Sequence, residues 1–326
     1  MIIQKKYSMY LKKIENKLKK ENMFHSKYLM IARHGNNPPL GFFAFYINNL
    51  GWIDYALRNN MIPVVDMKNY QNIFLKEGEL GKVNAYELYF KQPCGVTVEQ
   101  ALEEKNVRYA WSNISPYQLN DSVECLYNKE KISYYSKLAE KYMPFTEEVQ
   151  QILEEEENRL FPKDCRILGI LARGTDYTMM KPYYHPVQPS IEMIIEEANK
   201  YRKEYNCDKI YVATEDQNNL EILKKEYGED LIYIDQPRLK KVTTYLNLDS
   251  EFIKREPYQI GLDNLKSIYL LSRCNGLIAG RTSGTVGATV LSKGYEFMHI
   301  FSLGRYGHNG SINFNTCYLC YLSILR

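Results

Sequence analysis

From residue 166 to residue 301 short apolar runs alternate with amphipathic ones, and that alternation leaves few folds open. Arg166–Ala172, Lys209–Thr214, Asp230–Ile234, Gly276–Ala279 and Glu296–Phe301 read as strands. Pro189–Tyr205, Asn218–Tyr227, Leu262–Ser272 and Ser283–Lys293 read as the helices between them. Strands that are apolar at nearly every position must be buried on both faces, and a helix after each strand supplies the cover. The pattern predicts an α/β fold with a parallel sheet.

The first half is less regular. Tyr28–Ala32 reads as a strand running into the Arg33–Pro39 loop, and a helix is expected to begin near the turn-like Asn48-Asn-Leu-Gly51. Ile62–Asp66 reads as the next strand. Residues 70–143 give little organisation. After Pro144 comes an acidic helix, Thr146–Phe161, whose glutamates read as a solvated face, and Pro162 stops it. A chain of 326 residues is long enough for about two domains. The change of register near Pro162 places them at 1–160 and 161–326.

Charge and cysteine content narrow the function classes. The net charge of +3 is too small to argue for nucleic acid, and it is unevenly spread. Residues 1–33 hold nine Lys/Arg against two Glu. The segment 5–27 is expected to be a basic amphipathic helix, either a solvated cap or a peripheral contact with an anionic membrane. No run is long and apolar enough for a membrane span, and Met1–Lys6 lacks the apolar stretch of a secretory signal. Seven scattered cysteines suggest a reducing, cytoplasmic setting. Cys317 and Cys320 form a C-x-x-C with no second ligand pair, so they are expected to be small buried hydrophobes, and no metal site is expected.

Three strand ends in the second half carry polar clusters, and strand carboxyl ends are where open α/β sheets bind ligands. In Leu171-Ala-Arg-Gly174 the planar donor fork of Arg173 suits a diphosphate, and Gly174 allows close backbone approach. The alternative is an Arg173–Asp176 pair holding the loop. Thr175 and Asp176 suit loop closure or a sugar hydroxyl. In Thr214-Glu-Asp-Gln217 the carboxylate of Asp216 suits a base edge or ribose, and equally a helix cap. In Gly280-Arg-Thr-Ser-Gly-Thr285 a small-residue loop opens a helix, whose free N–H groups could receive phosphate oxygens. Thr282, Ser283, Gly284 and Thr285 belong to that loop. Neither a Walker-type loop nor G-x-G-x-x-G occurs.

The order ILARGTDY … HPVQPSIEMI … IYVATEDQ … LKSIYLLSRCNGLIAGRTSGTVG resembles the donor domain of the fucosyltransferase superfamily, mainly across residues 165–295. The resemblance implies a GT-B fold, two Rossmann-like domains facing across a cleft, with GDP-fucose held by the second. It implies an inverting, metal-independent transfer to a glycan or lipid-linked glycan, with no cofactor beyond the donor substrate. Arg173 falls at the family's pyrophosphate-binding arginine, Asp216 at its guanine-reading acid, and Thr282 and Ser283 at its phosphate-binding hydroxyls. His185 is expected in a loop over the donor. The Asn48–Gly51 turn, with Asn49 and Trp52, is placed like the turn opening the family's acceptor-side domain.

The chain also departs from the family. It has Leu171-Ala-Arg-Gly174 where the family often has His-x-Arg-Arg, and Lys181 where some members carry an assisting carboxylate. The expected general base is Asp54 or His34, with Asp66 and Asp176 as further candidates. Two rivals stay open: another nucleotide sugar on the same fold, and a non-catalytic nucleotide- or sugar-binding module.

Overall fold

The computed structural model describes residues 26–32, 41–110, 115–174, 178, 181–239 and 255–307. The basic segment before residue 26, His34 and its loop, Thr175, Asp176, Cys317 and Cys320 lie outside the described residues. The chain divides into two compact units. One comprises residues 1–40, 44–119 and 137–146; the other comprises 41–43, 120–136 and 147–326.

In the first unit, β1 (Tyr28–Ala32) is the central strand, with β2 (Ile62–Asp66) on one side and β3 (Val107–Tyr109) on the other, all parallel. The apolar run Tyr28–Ala32 is buried at all five positions, as a central parallel strand requires. The connection from β1 to β2 carries α1 (Phe42–Arg58).

Here the structure corrects the expected turn at Asn48–Gly51. Asn48, Asn49, Gly51 and Trp52 lie in the middle of a 17-residue helix that starts at Phe42. Turn propensity lost to burial: Phe45, Tyr46, Leu50, Trp52 and Ile53 are all 5% exposed or less, on nearly every side of the helix. Gly51 serves close packing. A Cβ there would stand 2.8 Å from the Ser115 Cβ and 2.9 Å from the Gln118 Cα.

Residues 67–110 combine short backbone turns with side chains bonded to distant backbone. The Asn84 amide accepts from the Met67 N–H (3.0 Å) and donates to the Val65 carbonyl (2.9 Å). The Gln92 amide takes both groups of Val65, accepting from its N–H at 2.9 Å and donating to its carbonyl at 2.8 Å. The helix α2 (Val98–Leu102) opens on a reciprocal capping box between Thr97 and Gln100. Two further helices, α3 (Val123–Leu126) and α4 (Lys129–Tyr142), lead to the acidic α5 (Glu147–Leu160). In α5, Val149 and Leu153 face inward, and the glutamines and glutamates opposite pair along the surface.

The second sheet has the order β6-β5-β4-β7-β8, all parallel. Its strands are β4 (Ile167–Leu171), β5 (Lys209–Ala213), β6 (Leu231–Ile232), β7 (Gly276–Ala279) and β8 (Phe297–Ile300). The intervening helices are α6 (Ile191–Glu204), α7 (Gln217–Tyr227), α8 (Pro257–Ser272) and α9 (Ser283–Leu291). The alternation read from the sequence is therefore the fold. From β4 the chain steps to β5 and β6 on one side, then returns to β7 and β8 on the other. The order reverses between β4 and β7, and such a reversal opens a crevice above the strand ends.

Cys94, Cys125, Cys165, Cys207 and Cys274 are free thiols. Burial pushes the Cys207 and Cys274 thiols up, which keeps them unreactive.

Candidate functional site

Leu171 pairs with Ala279 across β4 and β7 and with Ala213 across β5, so three strand ends stand side by side. Arg173, Glu215–Asp216 and Gly280–Thr285 follow those ends, and the structure brings the three predicted clusters together.

At the end of β4, Arg173 Nη1 lies 3.4 Å from Glu215 Oε1, and each side chain is about a quarter exposed at 26%. The same carboxylate oxygen accepts from the Gly174 N–H at 3.0 Å. Glycine at 174 is set by crowding: a Cβ would meet Asp216 Oδ2 at 2.4 Å and the Asp216 Cβ at 2.8 Å. Asp216 is the N-cap of α7, its Oδ1 accepting from the N–H groups of Asn218 (2.8 Å) and Asn219 (3.2 Å). One carboxylate oxygen thus serves the helix, while the other faces Gly174.

The end of β7 leads directly into α9. Thr282 is the N-cap, and its Oγ1 accepts from the Thr285 N–H at 3.1 Å. The fully buried Thr285 hydroxyl donates to the Gly280 carbonyl. Thr282 and Thr285 are therefore committed to shaping the loop. Ser283 and Gly284 are half-buried, and their N–H groups have no acceptor among the described residues. Unpaired N–H groups in the first turn, at the positive end of the helix dipole, make a receiver for an anion.

The His185 loop sits beside this end. Tyr184 N–H donates to the Tyr306 carbonyl and Tyr306 N–H to the His185 carbonyl, both at 3.0 Å; Val187 N–H donates to the Gly304 carbonyl, also at 3.0 Å. Gln188 donates through Nε2 to the carbonyls of Pro186 (3.1 Å) and Arg281 (3.2 Å), tying the loop to the end of β7.

In the first unit the candidate base Asp54 is 1% exposed and bonded to Arg58 Nε at 2.7 Å, one turn along α1. Asp66 is buried as well, accepting from the N–H groups of Lys68 and Asn69 and from the Asn69 amide. Asn48 and Asn49 are buried, and Trp52 is a core residue.

Sequence reasoning read Glu215 only as part of a strand-end acidic pair, behind Asp216, and did not single out Arg281, Arg305 or Asp121. Glu215 and Arg281 stood inside quoted motifs, one residue from the candidates chosen. Arg305 and Asp121 carried no local pattern. Among the described residues no group of three or more His, Cys, Asp or Glu could hold a metal ion, and no helix is long and apolar enough to cross a membrane.

This architecture is shared with solved fucosyltransferases. NodZ α-1,6-fucosyltransferase soaked with GDP-fucose matches with a TM-score of 0.53 at 14% identity, over 87% of this chain and 98% of that one. Fucosyltransferase NodZ from Bradyrhizobium matches with a TM-score of 0.53 at 13% identity, over the same shares of the two chains. An arginine-to-lysine mutant of Arabidopsis thaliana FUT1 in complex with GDP matches with a TM-score of 0.50 at 11% identity, over 84% of this chain and 70% of that one. The chain has the fold of these fucosyltransferases. No protein-family model matches it, and no curated protein matches it in sequence.

Proposed function

We propose that the protein is a glycosyltransferase that moves fucose from GDP-fucose to a hydroxyl of a glycan. The observation that carries this reading is the convergence of Arg173, the open N–H end of α9 and the Glu215–Asp216 pair at the point where strand order reverses. That arrangement suits a nucleoside diphosphate: the base or ribose toward β5, the phosphates toward β4 and α9. The fold shared with enzymes solved with GDP-fucose and GDP supports the choice of donor.

In the reaction the acceptor oxygen attacks the anomeric carbon, forming a new C–O bond. The bond to the β-phosphate oxygen breaks, and GDP departs with the electron pair. The guanidinium of Arg173 and the N–H groups of Ser283 and Gly284 stabilise that developing charge without reorganisation. Attack from the face opposite the diphosphate inverts the anomeric centre. The acceptor proton passes to a general base, for which His34 and Asp54 are the candidates the sequence offers. We read the reaction as metal-independent and the acceptor as a surface glycan, lipid-linked where the basic segment 5–27 holds the enzyme at an anionic membrane.

Calorimetric titration with GDP, UDP, ADP and CMP tests the donor. Selective binding of GDP is expected, and selective binding of UDP overturns the guanine assignment. Turnover of GDP-fucose with mixed glycan acceptors separates an enzyme from a binding module. Sedimentation with anionic vesicles at low salt tests the membrane contact, which fails if the protein stays in the supernatant.

A further inference from the structure

The two cationic arms at the strand ends differ in net charge. At β4, Arg173 faces its own carboxylate, Glu215, so the pair is close to neutral. At β7, two arginines share one carboxylate. Arg281 donates from Nε to the Asp121 carbonyl at 2.7 Å and from Nη2 to Asp121 Oδ1 at 3.2 Å. Arg305 Nη2 approaches the same Oδ1 at 3.5 Å, and its Nη1 donates to the Tyr184 carbonyl at 2.8 Å. The cluster therefore keeps an excess of one positive charge. Glu124, in the first turn of α3, lies within electrostatic reach of Arg281, but it is exposed and makes no ion pair with it.

Arg281 is also fixed in place from both ends. Its carbonyl accepts from Gln188, its guanidinium is held by Asp121, and its side chain is only 12% exposed. Gln188 itself packs so closely that a Cβ on Gly280 would stand 2.1 Å from its Oε1. Arg173 and Arg281 each follow by two residues the paired ends Leu171 and Ala279 of neighbouring strands. The next residue, Thr282, caps α9. Nη1 of Arg281 has no partner among the described residues.

We propose that Arg281, seconded by Arg305 and held by Asp121, is the second cation of the donor site and binds the terminal phosphate of the leaving diphosphate. A diphosphate carries more negative charge than the near-neutral Arg173–Glu215 pair can offset. Guanidinium donors already held in place by Asp121 cost little to reorganise during departure. Asp121 is the internal counter-ion that keeps two like charges together before the donor arrives. The inference rests on the donor reading given above and extends it to residues outside the predicted site.

Titration calorimetry of the full chain with GDP and with GMP tests the assignment, because only GDP offers the terminal phosphate. The wild-type protein is expected to prefer GDP. Arg281→Gln should weaken GDP about tenfold or more, the scale of a charge-assisted hydrogen bond, while leaving GMP within about threefold. Arg281→Lys should retain most of the GDP preference, and Arg305→Gln should lose less than Arg281→Gln. A GDP-to-GMP ratio unchanged in Arg281→Gln overturns the proposal. An equal loss for both nucleotides in Arg281→Gln and Arg281→Lys also overturns it, by showing a structural role only. If the wild-type protein binds neither nucleotide, the donor reading itself falls and takes this inference with it.

Discussion

The two units handle their polar groups in opposite ways. In the first, several buried polar side chains are consumed by the framework: Asp54 holds Arg58, Asp66 closes the turn after β2, and Asn84 and Gln92 bond the backbone of β2 and the residue after it. In the second, the groups above β4 and β7 stay partly exposed, and first-turn N–H groups of α9 remain open. A polar residue whose bonds are all satisfied internally contributes to stability. One held in position with donors to spare is available to a ligand.

The contrast predicts that substitutions in the second unit's strand ends cost turnover, whereas those in the first cost folding. The largest effect is expected from Arg173→Ala. Loss of a main donor to the departing diphosphate should lower kcat by about 10²–10³-fold with little change in Tm. Retained turnover breaks the comparison at its centre. Gly51→Ala should destabilise the fold by about 1–3 kcal/mol in urea unfolding, because the new methyl group meets backbone at Gln118. GDP affinity, measured on the folded protein, should be unchanged.

Asp54→Ala should cost about 1–2 kcal/mol. It removes a buried hydrogen-bonded carboxylate, but the partner Arg58 is 48% exposed and can turn to water. If Asp54→Ala folds normally and loses turnover, the residue belongs to the chemistry and the contrast fails there. Asp54→Asn, which keeps the shape, sharpens the distinction.

A smaller effect concerns His299 on β8. Burial lowers its pKa against the opposing influence of Glu197. The folded state thus binds a proton less readily than the unfolded chain, so this group's contribution is lost as pH falls through about 6.5, the unfolded value. His299→Asn should flatten the stability profile between pH 7.5 and 5.5 by less than about 1 kcal/mol. The smallest effect is expected on α5, where Glu154→Gln should stay within about 0.5 kcal/mol.

Much of the second unit was legible because parallel strands are buried on both faces and write themselves as continuous apolar runs. Ile167–Leu171 and Gly276–Ala279 needed no neighbouring context. The start of α1 was not legible. Its Asn-Asn-Leu-Gly run carries the local mark of a turn, and only the surrounding core, with Gly51 pressed against Ser115 and Gln118, holds it helical. Residues 70–110 were opaque for another reason: part of their order comes from single amides reaching across 17 to 27 residues, which no periodicity records. At the site, the motif residues were found because strand ends are where ligands bind. Asp121 was not, since its partners lie 160 and 184 residues away.

Gln92 has a consequence beyond holding its own loop. An outer strand of a parallel sheet presents a row of unmet donors and acceptors, and any extended peptide can dock there and continue the sheet. By taking both main-chain groups of Val65, with Asn84 adding a second donor to its carbonyl, the amide closes the outer edge of β2 at that residue. Among the described residues the small sheet has no strand beyond β2, and at Val65 its rim leaves an incoming peptide no unmet group to pair with.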